Sequence, residues 1–138
     1  MSLFKSKPDA ITSFEIVTLH LSGMRGMQEY EIVMKDGQAE VSLYFIRFVQ
    51  SEDQRELALR GVCPEERMLK LLNDCRMMSW NGFNGPHPKW VLDGTQFRLT
   101  ATVNGGKPIH ASGSENFPKG YYEFERGLYE ILNNKEPT

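Results

Sequence analysis

The dipeptide Asp36-Gly37, set between two runs of alternating residues, constrains this chain more than any other feature. Both residues tolerate the positive φ that the tightest two-residue hairpin loops require, so the flanking runs read as antiparallel strands. Before the turn, residues 28–35 place Tyr30, Ile32 and Met34 on one face. Glu29, Glu31 and Lys35 take the other, with Val33 among them. After it, residues 39–49 put Val41, Leu43, Phe45 and Val49 on one face and Tyr44, Ile46 and Phe48 on the other. A strand apolar on both faces is expected to be central, or covered from both sides. Arg47 within it needs a partner or a sheet edge.

Further strands follow from the same logic. Residues 14–21 are rich in β-branched and apolar side chains. Alternation groups Phe14, Ile16, Thr18 and His20 against Glu15, Val17, Leu19 and Leu21, and Gly23 and Gly26 end the run. Residues 95–103 alternate without a fault, with Phe97, Leu99, Ala101 and Val103 inward and Gln96, Arg98, Thr100 and Thr102 outward. Asn104-Gly105-Gly106 turns the chain, and residues 108–112 return beside it. Residues 51–54 form a polar turn into a fourth strand over 55–62, with Leu57 and Leu59 inward. A short helix ending at Gly61 is the alternative, because Ser51 and Gln54 have capping-box spacing.

Two segments carry helical periodicity. In residues 64–77, Pro64 suits the first helical position and Glu65 and Glu66 suit the positive end of the dipole. Met68, Leu69, Leu72 and Cys75 then recur on one face. In residues 120–132, Tyr121, Phe124, Leu128 and Ile131 form the apolar stripe. Gly127 inside that helix costs about 1 kcal/mol against alanine, which points to close approach to the sheet. The order β-β-β-β-α-β-β-α defines an α+β fold, an antiparallel sheet of about six strands with two helices packed on it. A chain of 138 residues suits one domain over 12–132, with a lead-in over 1–11 and a tail over 133–138.

The stretch from Ser79 to Pro118 holds both tryptophans and a run of turn signals. Trp80-Asn81-Gly82-Phe83 is followed by Asp93-Gly94-Thr95-Gln96-Phe97 and then by Gly113-Ser114-Glu115-Asn116-Phe117-Pro118, ahead of the last helix. This pattern resembles a family of small bacterial α+β domains without an assigned activity, over about residues 64–132. Phe97 stands where the family usually has tryptophan. The resemblance implies a fold and a bacterial origin, and brings no catalytic residues to carry over.

Composition excludes several function classes. The net charge is −2, from 16 basic and 18 acidic side chains, with no basic stripe, so nucleic-acid binding by bulk electrostatics is not expected. No run approaches the roughly 18 apolar residues of a membrane span, and no apolar segment follows the two early lysines as in a signal peptide. A cytoplasmic protein without membrane partners is the expectation. Cys63 and Cys75 are twelve apart and form no C-x-x-C motif. Cys75, if on a helix face, reads as a small buried hydrophobe, and free thiols suit a reducing compartment, with a Cys63–Cys75 disulfide as the alternative.

Gly113–Pro118 lacks the lysine and spacing of a phosphate loop and is not Gly-x-Ser-x-Gly, so turn chemistry accounts for it. Tryptophan and tyrosine favour interface hot spots, and the loop over 81–94 is long for a compact domain. The residues for a partner or ligand are therefore Trp80, Phe83, His87, Trp90, Asn116 and Tyr121, with a place in the core beneath the loop as the competing reading of Trp80, Phe83 and Trp90. His20, His87 and His110 lack helical metal-site spacing, although a site from His87, Asp93 and His110 depends only on the fold. The reading is a non-catalytic interaction module that meets a protein partner through the long loop and a sheet face. The first alternative is a small-ligand binder with a pocket between sheet and helices, lined by Trp80, Trp90 and Tyr121. The second is a metal-dependent enzyme on His87, Asp93 and His110. No cofactor is implied, and a homodimer through a sheet edge is compatible with each reading.

Overall fold

The structure, a computed structural model, describes residues 10–24, 26–92 and 94–137. A four-strand meander opens the fold: β1 (Phe14–Gly23), β2 (Gly26–Lys35), β3 (Gln38–Val49) and β4 (Glu52–Pro64). Then come α1 (Glu65–Asp74), a short 3-10 turn (Met77–Trp80), β5 (Asn84–Gly85), β6 (Gln96–Val103), β7 (Lys107–Ser114) and α2 (Tyr121–Leu132). The sheet order is β4-β3-β2-β1-β6-β7-β5.

The α+β class and the two helices match the expectation, but the sheet differs. Among the described residues it has seven strands and is mixed, because the two-residue β5 runs parallel to β7. A two-residue strand has no periodicity to read, which is why the alternation gave six antiparallel strands. The fourth strand is longer than residues 55–62 and pairs with β3 throughout, from Gln38↔Pro64 to Val49↔Glu52, so the helical alternative does not form. Gln50 and Ser51 close this hairpin with φ of 52° and 66°.

Two bulges change which side chains face inward. Leu43 pairs with Leu59 and Tyr44 with Leu57, leaving Ala58 as an extra residue. Leu57 and Leu59 therefore lie on opposite faces, and both are exposed, at 47% and 43%, rather than inward. A shift between Phe14 and Ile16 of β1 likewise brings Phe14 to the same buried side as Val17, Leu19 and Leu21.

Both helices pack on one face of the sheet. Met68 and Leu72 of α1 and Phe124, Leu128 and Ile131 of α2 join the strand residues Val17, Leu19, Ile32, Val41 and Leu99 in one core. The first helix ends earlier than its periodicity suggests, because Arg76 takes a left-handed φ of 59° and the chain tightens into the 3-10 turn. Gly127 serves the helix pair rather than the sheet, since a Cβ there would overlap the Leu71 side chain of α1. Ile11, expected in the lead-in, is buried in the core, and its N–H donates to Asn73 Oδ1 at 2.8 Å. Cys63 and Cys75 are both buried and free, and burial pushes the Cys75 thiol up to about 12.

Of the carboxylates of α2, Glu130 is buried and Glu125 is partly withdrawn from solvent. Glu125 is half-buried and accepts a hydrogen bond from the Tyr121 hydroxyl at 3.5 Å. Burial raises its carboxyl above the usual range, and the tyrosine hydrogen bond opposes that only in part. The folded state thus binds this proton more tightly than the unfolded chain. The stability it contributes is full at low pH and is lost as pH rises through the folded value. Glu125→Gln is expected to raise the neutral-pH melting temperature and to flatten its fall between mildly acidic and neutral pH. Thermal melts of both proteins across that range check this.

Candidate functional site

Among the described residues, no helix covers the second face of the sheet. Strand pairing lays its side chains out in rows. One row reads Ser112, Arg98, His20, Glu29, Tyr44 and Leu57 from β7 to β4. On one side of it lie Ser114, Gln96, Ser22, Met27, Ile46 and Arg55. On the other lie His110, Thr100, Thr18, Glu31, Ser42 and Arg60. Neighbours within a row are close enough to interact directly.

The β2–β4 half of this face is tied together by ion pairs. Arg55 Nη1 lies 2.7 Å from Glu29 and 3.8 Å from Glu31, and its guanidinium sits 4.0 Å from the centre of the Tyr44 ring. The hydrogen bond to Glu29 holds the Arg55 proton above its ordinary affinity. Arg60 Nε donates to Ser42 Oγ at 2.9 Å and lies 3.7 Å from Glu40. His20 Nδ1 is 3.6 Å from Glu29, at the border with the other half.

Beyond that border the long loop rises against the sheet. Backbone bonds from Gly82 N to His110 O (2.8 Å) and from Ser112 N to Phe83 O (3.0 Å) hold its start. Asn116 Nδ2 donates to Pro86 O at 3.2 Å. His87 then clasps the loop from within. Its Nε2 faces the Val91 carbonyl, which only accepts, so Nε2 carries the proton. In the neutral ring Nδ1 accepts from the Ser114 hydroxyl, 2.7 Å away. Loop and strands together form a shallow cavity of about 490 Å³. Its polar side chains include His20, Ser22, His87, Gln96, Arg98, Ser112 and Ser114.

The six residues singled out from the sequence fall into three groups. Trp80 is 1% exposed; it donates from Nε1 to Lys119 O at 2.9 Å and lies 6.2 Å from the Tyr121 ring and 5.8 Å from Phe124. Tyr121 is equally buried, which pushes its hydroxyl up, and Phe83 packs against Phe97 at 6.2 Å. These three belong to the core and its margin. His87 and Asn116 hold the loop. Trp90 is 93% exposed, beside the equally exposed Leu92. Trp80, Tyr121 and Trp90 therefore do not line one pocket.

Gly113–Pro118 is a clasp. The Glu115 carboxylate accepts from Thr95 N at 2.6 Å, and Phe117 stacks on Tyr121 at 4.5 Å. His87 and His110 line neighbouring depressions that share Arg98, whereas Asp93 lies outside the described residues. Among the described residues, no three histidine, cysteine, aspartate or glutamate side chains are grouped to hold a metal ion. Arg98, His20 and Ser112 were not singled out. Alternation had already turned Arg98 outward, but only the pairing of β1 with β6 reveals its neighbours.

Compared with known proteins, the chain matches no family model and no curated sequence. Among the described residues, no helix is long and apolar enough to cross a membrane.

Proposed function

We propose that the chain is a non-catalytic protein-interaction module, bacterial and cytoplasmic, which engages a protein partner through the β3–β4 ribbon. One observation carries this reading. The sequence of β3 is apolar on both faces, yet the described chain covers only one face of the sheet. Phe48, Leu57 and Val62 are left exposed on the open face of this ribbon, and Phe45, Val49 and Leu59 are exposed on its other face. Its tip extends past β2, whose pairing with β3 stops at Met27↔Ile46. An exposed apolar concentration of this kind marks interaction surfaces more often than it marks bare monomer surface. The exposed Trp90 and Leu92 of the long loop form a second, smaller contact region. The origin and compartment rest on the resemblance of residues 64–132 and on the two free buried thiols.

The test places a photo-crosslinking amino acid at Phe48 and, as a control, at Lys107 on the far side of the sheet. A discrete adduct from position 48 in the native cell is expected, absent from position 107 and abolished by Leu57→Ser. No adduct at 48, or the same adducts from both positions, would sink the proposal.

A further inference from the structure

Charge on the open face is sorted by strand. Glu29, Glu31 and Glu40 stand on β2 and β3, and Arg55 and Arg60 of β4 reach across to them. The outward positions of β1 from Ile16 to Ser22, and those facing them on β6 and β7, carry no carboxylate. They carry hydroxyls, an amide, His20, His110 and Arg98. Of the three open-face arginines among the described residues, Arg98 is the one with neither an ion pair nor a side-chain hydrogen bond.

A guanidinium presents five N–H donors in a rigid fork that matches the two oxygens of a carboxylate or phosphate. Arg98 lines the cavity beneath the loop clasp as well as the depression beside it. Ser112 lies opposite Arg98 on β7 and His20 opposite it on β1, with Gln96 and Ser114 one row away. The cavity is large enough for a small metabolite, within the usual range of roughly 300–1,000 Å³. We propose that it binds the oxyanion group of a small ligand, a phosphate or carboxylate, with Arg98 as the bidentate anchor and Ser112 and Gln96 as flanking donors. This site is separate from the β3–β4 ribbon and does not depend on it.

The probes are inorganic phosphate and acetate, each titrated into the whole protein by NMR at ionic strength held constant with sodium chloride. The expected result is a saturable shift of the Arg98 Nε–H and of the Ser112 and Ser114 amides with one of the two anions. Saturation by phosphate alone assigns a phosphoryl ligand, and saturation by acetate alone a carboxylate. Arg98→Gln is expected to weaken binding at least about tenfold, consistent with loss of a charge-assisted bidentate pair. Arg55→Gln leaves it unchanged. Arg98 is exposed, so its variant keeps the wild-type melting temperature, and Arg98→Lys, which retains charge without the fork, falls between. Shifts that never saturate, or that are equal in Arg98→Gln and wild type, would overturn the proposal. So would equal weakening by Arg55→Gln, which would show general charge screening.

Discussion

Trp80→Ala is expected to cost about 3–5 kcal/mol of stability, whereas Trp90→Ala changes it by no more than about 0.5 kcal/mol. The two tryptophans are the only ones in the chain, so the contrast is clean. Trp80 fills the space between the 3-10 turn and α2, edge-on to Phe124, and its indole N–H satisfies the Lys119 carbonyl. Truncation opens a cavity there and removes the donor that the Lys119 carbonyl uses. For a domain whose total stability is about 5–15 kcal/mol, the loss is a large fraction of the whole. Urea unfolding of both variants measures it. Equal costs at the two positions would mean that the long loop is built into the core. Intrinsic fluorescence offers an independent check, because Trp80→Ala leaves only the solvent-exposed emitter and the spectrum moves to the red.

The second large effect lies at Gly120. This residue enters α2 with φ of 95°, and a Cβ built on it would overlap the Cys75 backbone carbonyl. Two penalties combine in Gly120→Ala. The left-handed conformation costs an L-residue about 1–2 kcal/mol, and the overlap is with backbone, which has no rotamer to relieve it. A total of about 2–4 kcal/mol is expected. Gly105→Ala isolates the first penalty, because Gly105 has φ of 76° but open space around its Cβ position. Its cost stays near 1–2 kcal/mol. Equal losses for the two variants would remove the steric part of the argument.

These contrasts also show where the sequence was legible. Asp36-Gly37, the alternation over 95–103 and the stripe of Tyr121, Phe124, Leu128 and Ile131 are local periodic signals, and each became the expected element. Three kinds of information were not local. The insertion of Ala58 is invisible in a list of alternating residues, because a bulge is defined by its partner strand. The parallel β5 takes its meaning from β7, some thirty residues later in the chain. The Arg98 environment depends on β1 lying between β2 and β6, a choice of sheet order that periodicity leaves open. Among the six candidate residues, chemistry alone inclined Trp80 towards the core and left Trp90 evenly placed. Both are large aromatic side chains next to turn residues, and the helix docking above Trp80 settles the difference. Gly127 was read as touching the sheet because strands and helices leave the same signature in a small residue. The neighbour is Leu71 of the other helix.

The extra residue in β4 has a consequence for whatever meets the outer edge of that strand. Before Ala58, even-numbered residues share the helix side of the sheet; after it, odd-numbered residues do. A regular strand laid along the edge keeps one phase throughout. It therefore matches residues 52–57 or residues 59–64, but slips out of step on passing from one to the other. A second β4 centred on Ala58 would set Glu56 opposite Arg60, an attractive pairing of charges, yet the two side chains point to opposite sides of the sheet. An extended segment paired along this edge would keep step for about six residues, or would need a bulge of its own. Unlimited edge-to-edge stacking of identical copies is disfavoured by the same offset.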